Sequence, residues 1–184
     1  VSNPFPWNTT GYGSLYFDGT GDYLSIAHAS SFYDLGTADW TIEGWVYFTD
    51  TSVFNGVFQL GKNVGALAAM LYTDGKLKLL EQDSAVVFES NTTFAANTWY
   101  HIAFTNNDYN NTQKLYVNGV QESNTGSKST AFQFTEKTVF IGGRWFSNAF
   151  QRPMNGYISN FRIVGGSEVY TSNFTPSTTP LTAI

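Results

Sequence analysis

The sequence predicts an all-β chain built as a two-sheet antiparallel sandwich. Short runs of β-branched and aromatic residues recur along it, tight-turn residues separate them, and no convincing helix exceeds one turn. The longest run, Trp40–Phe48, sets the pattern. Ile42, Gly44, Val46 and Phe48 fall on one face of a pleated strand and suit a dry interior. Thr41, Glu43, Trp45 and Tyr47 fall on the other, which suits an outer sheet face or a groove.

Composition narrows the function classes. Of 184 residues, 42% are hydrophobic and 17% aromatic, enough for a sizeable core, while only 12% are Asp, Glu, Lys or Arg. Asn, Thr, Ser, Gln and Gly must therefore supply the polar surface, which suits neutral polar ligands or close subunit packing. A net charge of −5 without a Lys/Arg cluster argues against nucleic acid and gives no pull toward anionic membranes. No apolar run is long enough for membrane insertion by a helix. The absence of cysteine removes disulfides, thiolate metal sites and thiol nucleophiles together.

In chain order, residues 1–13 read as an irregular N-terminal arm, with two of the five prolines and Trp7 as its plug. Ser14–Gly19 and Asp22–Ala27 flank Gly-Thr-Gly and read as a short hairpin. Ser30–Asp39 is a loop anchored inward by Phe32 and Leu35. After Trp40–Phe48, strands are expected at Val53–Gly61, Ala66–Tyr72, Lys76–Gln82 and Val86–Glu89. Helix propensity competes over Ala66–Tyr72, but the flanking strands and the Asp74-Gly75 turn favour β. Thr98–Thr105, Lys114–Gly119 with its Asn118-Gly119 turn, Thr138–Gly143 and Gly156–Val164 complete some ten to twelve strands. The body is expected over 14–165, and 166–184 as an extended C-terminal strap that hands the chain to a neighbouring segment.

Four stretches carry a resemblance: SLYFDGTGDYLSI (14–26), ADWTIEGWVYF (38–48), NTWYHIAFT (97–105), and KLYVNGV (114–120) followed by VFIGG (139–143). In this order they resemble the laminin-G-like, concanavalin A-like jelly-roll superfamily. The closing residues 156–181 resemble the ends of such domains in marine bacteriophage virion and tail proteins. The resemblance implies a jelly roll that binds glycans or proteins, often with calcium near one edge. In related domains an acidic residue often follows the Gly-Tyr-Ile of the last strand; here Ser159 stands there.

Catalysis finds little support. Laminarinase-like members of this superfamily carry Glu-x-Asp-x-x-Glu on one strand, which aims alternate carboxylates into a groove. The nearest match, Glu81–Val86, lacks the second glutamate, and Glu43 stands alone. Of the two histidines, His28 and His101, the latter reads as structural or half-buried rather than as a base. The reading is a protein that is not an enzyme.

Calcium is the better metal candidate. Asp18 and Asp22 flank Gly19-Thr20-Gly21, so two carboxylates and several carbonyls could converge on an ion. The competing reading has both aspartates capping the turn through Asx hydrogen bonds. Asp34 and Asp39 are alternatives.

For ligand binding, Arg144, Trp145, Phe146 and Asn148, with Phe150 and Arg152, form the most suggestive cluster. Guanidiniums and a tryptophan can stack on a sugar ring and fork onto its hydroxyls. The same set fits a subunit interface, or a core edge with solvated arginines. Tyr109, at the tip of an Asn-rich loop, is a further candidate. The sequence thus points to a non-enzymatic glycan-binding or adhesion module of an extracellular or virion assembly, such as a tail, fibre or decoration protein. Its partners would be cell-surface glycans or sister subunits; the alternative is a purely structural subunit without a glycan ligand.

Overall fold

The computed structural model describes residues 13–27, 35, 38–62, 65–81, 85–127 and 136–184. Trp7, His28, Phe32, Asp34 and residues 82–84 lie outside this set. The described chain is all-β, with two six-stranded antiparallel sheets and one small hairpin. The first sheet runs β1 (Ser14–Asp18), β14 (Asn155–Gly165), β3 (Trp40–Phe48), β8 (Trp99–Asn107), β9 (Thr112–Val117) and β10 (Val120–Gln121). The second runs β2 (Leu24–Ile26), β11 (Glu136–Ile141), β4 (Asn55–Lys62), β5 (Leu67–Leu71), β6 (Lys76–Glu81) and β7 (Ala85–Thr93). The hairpin pairs β12 (Arg144–Phe146) with β13 (Ala149–Gln151).

The core follows from period-two alternation. Ile42, Val46 and Phe48 share one interior with Ile102 and Phe104 on β8 and Phe58, Leu60, Leu77 and Leu79 from the facing sheet. Ala66–Tyr72 is strand, as expected, and β5 splits by parity: Leu67, Ala69 and Leu71 join the main core, while Ala68 and Met70 pack outside it with Leu80, Phe54 and Tyr72. Each fully buried Leu or Phe contributes roughly 1.5–3 kcal/mol relative to exposure.

Two expectations are corrected. Ser14–Gly19 and Asp22–Ala27 are not a hairpin: β1 pairs with β14 and β2 with β11, so the Gly-Thr-Gly turn hands the chain from one sheet to the other. The left-handed φ of Gly19 and Gly21, 84° and 91°, lets so short a segment make that crossing. Beyond Gly165 the closing segment folds back over the outer face of the first sheet. Val169 N–H donates to Thr41 Oγ1 (2.9 Å), Phe174 N–H to the Gly119 carbonyl (2.9 Å), and Trp45 Nε1–H to the Ser177 carbonyl (3.1 Å). Tyr170 and Phe174 stack on each other at 3.6 Å and 6°. In consequence Glu43, expected on an outer face or groove, is buried. His101, read as structural or half-buried, is buried.

A β-bulge makes that burial workable. Between Ser159 and Arg162 the register of β14 against β3 shifts, with Asn160 at φ 52°. The extra residue reverses the inside–outside phase, so Ile158 faces the core before it and Phe161 and Ile163 pack against the core after it. Arg162 is thereby turned outward, opposite Glu43. Gly44 gives Phe161 the room to lie across β3.

Candidate functional site

At one end of the sandwich a cleft of about 580 Å³ opens between the Asp18–Thr20 turn, the Asp50–Phe54 loop and the Arg152–Asn155 approach to β14. Asp50 Oδ1 accepts from Ser52 N–H and Oγ–H, both at 2.7 Å, which forms an Asx turn and holds its carboxyl below the usual carboxylate range. Asp18 Oδ1 likewise accepts from the Thr20 hydroxyl (2.7 Å) and N–H (2.6 Å), with the same downward effect. Each aspartate keeps its second oxygen without a hydrogen bond among the described residues.

The floor of the cleft is knitted by amides. Asn55 Nδ2 donates to the carbonyls of Asp50 (2.9 Å) and Val53 (3.0 Å), and its Oδ1 accepts from Asn155 N–H (2.8 Å). Gly56 N–H donates to the Arg152 carbonyl at 2.9 Å, and a Cβ at Gly56 would collide with that same carbonyl. Arg152 itself is exposed and left-handed, with φ 53°. Its guanidinium lies 4.3 Å from the Phe54 ring centroid and makes no hydrogen bond or ion pair among the described residues. The ring is braced edge-on by Tyr72 at 5.0 Å. A planar fork of unused donors thus sits on an aromatic face, beside two carboxylate oxygens free to accept.

The structure brings together only part of the sequence-derived set. Asp18 and Arg152 line the same cleft. Arg144 is buried with its guanidinium 4.9 Å from Phe146, and Trp145 stacks on Phe140 at 5.7 Å beneath Lys62, 4.5 Å from its ring. Asn148 occupies the left-handed hairpin turn with φ 60°, and Tyr109 stands 92% exposed on a separate loop. Phe54, Asp50 and Asn155 were missed, because no spacing in the chain announces that residues this far apart share a cleft.

Asp22 Oδ2 accepts from Asp18 N–H at 3.3 Å, so the two aspartates serve the turn. Among the described residues no group of three or more His, Asp or Glu side chains is placed to hold a metal. Two carboxylates alone fall short of the six to eight oxygens that calcium takes.

The buried carboxylate on β3 has no spare capacity. Glu43 Oε1 accepts from Arg162 Nε (2.9 Å) and Nη2 (2.5 Å), while Oε2 accepts from Tyr170 O–H (2.8 Å) and faces His101 Nε2 at 3.3 Å. Burial pulls its pKa up, but the hydrogen bonds from His101, Arg162 and Tyr170 outweigh that and hold it below the ordinary value. An acid or base in glycoside hydrolysis needs a partner carboxylate and an open oxygen. Glu43 has neither among the described residues.

Two antiparallel sheets, closed over one core and carrying a cleft at a loop end, define a jelly-roll sandwich. The chain belongs to the Laminin_G_3 family of the concanavalin A-like lectin/glucanases superfamily, matched over residues 18–167. No curated protein matches the sequence. Among solved structures, the native heptameric SAP-like pentraxin from Limulus polyphemus aligns with TM-score 0.58 and 17% identity, covering 82% of this chain and 74% of that one. Domains LG4-5 of the mouse laminin alpha1 chain align with TM-score 0.62 and 18% identity over 83% of this chain, which spans 40% of theirs. The CBM40 of Ruminococcus gnavus IT-sialidase, bound to alpha2,3 sialyllactose, gives TM-score 0.62 and 12% identity, covering 90% and 94%. At these identities the likeness is one of fold.

Proposed function

We propose that this chain is a non-enzymatic glycan-binding module, acting in an extracellular or virion assembly, with its ligand seated in the end cleft. The observation that carries the reading is Arg152, a guanidinium without a hydrogen bond or ion pair among the described residues, held over the Phe54 ring beside Asp18 and Asp50. Sugar hydroxyls both donate and accept, so they match a cleft that offers free donors and free carboxylate oxygens together. The Ruminococcus gnavus module, solved with sialyllactose, supports a glycan role by similarity of fold. The virion or extracellular setting rests on the resemblance of residues 156–181 to phage tail and virion domains.

A glycan array probed with the wild-type chain and with Arg152→Ala and Phe54→Ala tests this. Signal at least tenfold weaker in both variants, with an unchanged far-ultraviolet spectrum, is expected. Equal signal in wild type and variants removes the cleft as the site.

One observation favours packing against sister subunits as a second reading. Leu15 on β1 is 50% exposed and Leu24 on β2 43%, and the two flank one groove where the edges of both sheets meet. Apolar sheet edges of this kind invite pairing. Sedimentation analysis of wild type and Leu15→Lys decides it: a single monomeric species in both rules the contact out.

A further inference from the structure

A row of aromatic rings crosses the outer face of the first sheet at a single register. Tyr16 on β1 pairs with Tyr157 on β14, Tyr157 with Tyr47 on β3, and Tyr47 with Trp99 on β8. Successive ring centroids are 4.9, 5.6 and 5.4 Å apart. The row spans three strand spacings, about 14 Å. Tyr16 is 55% exposed and Tyr157 and Trp99 half-buried, while Tyr47 forms the floor, tied by its hydroxyl to Asn97 Oδ1 at 3.2 Å.

The row has a boundary on either side. Two residues along β3 lies Trp45, where the Ser177 carbonyl marks the edge of the C-terminal strap. Two residues the other way, Asp18 pairs with Asn155, and both line the end cleft. The uncovered rings therefore begin about 7 Å from the cleft wall, on the same sheet face. None of the four side chains carries a formal charge, and the hydroxyls of Tyr16 and Tyr157 make no hydrogen bond among the described residues. Cross-strand packing alone would account for ring contacts. It does not account for leaving the outermost ring and two hydroxyls open beside the end cleft.

We infer that this row is a stacking floor for a neutral oligosaccharide, whose first residue sits in the end cleft and whose later rings lie over Tyr16 and Tyr157. The inference rests on the cleft reading and adds a ligand class: an uncharged chain of several hexoses rather than a single sugar. Flat C–H-rich sugar faces meet the rings, and the two free hydroxyls meet sugar oxygens at the rim.

Titration calorimetry with paired probes tests it: cellobiose and cellohexaose, laminaribiose and laminarihexaose, maltose and maltohexaose. In the linkage recognised, the hexasaccharide should bind at least tenfold more tightly than its disaccharide. Tyr16→Ala should abolish that gain, weakening the hexasaccharide far more than the disaccharide, whereas Tyr16→Phe should keep most of it. Tyr16→Leu, which keeps an apolar cover on the edge strand, replaces the alanine variant if the latter unfolds. Arg152→Ala should weaken both lengths alike. A hexasaccharide no tighter than its disaccharide, or a gain that survives loss of the Tyr16 ring, overturns the stacking floor and leaves the cleft intact. Array binding of acidic glycans only, with none of these six probes bound, does the same. If wild type binds no glycan at all, both readings fall.

Discussion

Arg162 on β14 holds Glu43 on β3 through two nitrogens on one oxygen, Oε1, at 2.9 and 2.5 Å. The pair lies across neighbouring strands, on the sheet face that the strap roofs over. Tyr170 of the strap takes the other carboxylate oxygen. The strap is therefore clamped to the sheet by a buried charge whose acceptor sites are filled, while its aromatic pair covers His101 and Tyr116.

Removing the carboxylate should be costly. Glu43→Ala leaves Arg162 and Tyr170 without their acceptor, and breaking a buried pair in this way costs about 3–5 kcal/mol. For a chain of this size Tm should fall on the order of 10 °C. Calorimetry checks it, and a shift below about 2 °C would show that the clamp contributes little.

Acid should act through the same group. The folded-state pKa of Glu43 lies below its ordinary 4.5, so its stabilisation is complete above that value and is lost as pH falls through the lower folded value. Glu168, whose pKa burial raises but hydrogen bonds from Lys114 and Asn107 bring down further, works in the same direction. Urea midpoints should therefore drop below pH 4.5, and Glu43→Gln should flatten that limb. Tyr170 has the opposite sign. Burial and its bond to Glu43 push it up to about 12 from 10.0, so its contribution is present below pH 10.0 and lost as pH rises toward 12.

Gly119 should be intolerant of any side chain. Its φ is 79°, and a Cβ would run into the Phe174 carbonyl of the strap. Gly119→Ala should cost at least about 1–2 kcal/mol from the left-handed backbone alone. It should also lift the strap, seen as faster amide exchange at Phe174 and new proteolytic cuts within 170–182. Unchanged exchange there would mean that the strap is held elsewhere.

Chelation gives a further check. With only two carboxylates, Asp18 and Asp22, at the turn, EDTA and millimolar calcium should give the same Tm within error. A calcium-dependent rise would identify an ion site that those two carboxylates do not by themselves make.

Much of the fold was legible because alternation is a local property. Ile42, Val46, Ile102 and Phe104 announced their shared interior by period, and Asn118-Gly119 and Asp74-Gly75 announced their turns by backbone chemistry. The Gly-Thr-Gly segment misled because a tight turn reads alike whether it joins partners in one sheet or passes between two. The cleft was less legible still: only Asp18 and Arg152 of its lining stood out from the chain.

By itself, the sequence determined the strand periods, the absence of cysteine chemistry and the low charge, since each depends on residue type and near neighbours. Tertiary structure alone decided that Glu43 is sealed rather than open. One unpaired residue in β14, Asn160, reverses the phase of the strand from Phe161 onward, and a strap without core periodicity then closes over the result. Both depend on which strands lie side by side, information that no window of consecutive residues contains.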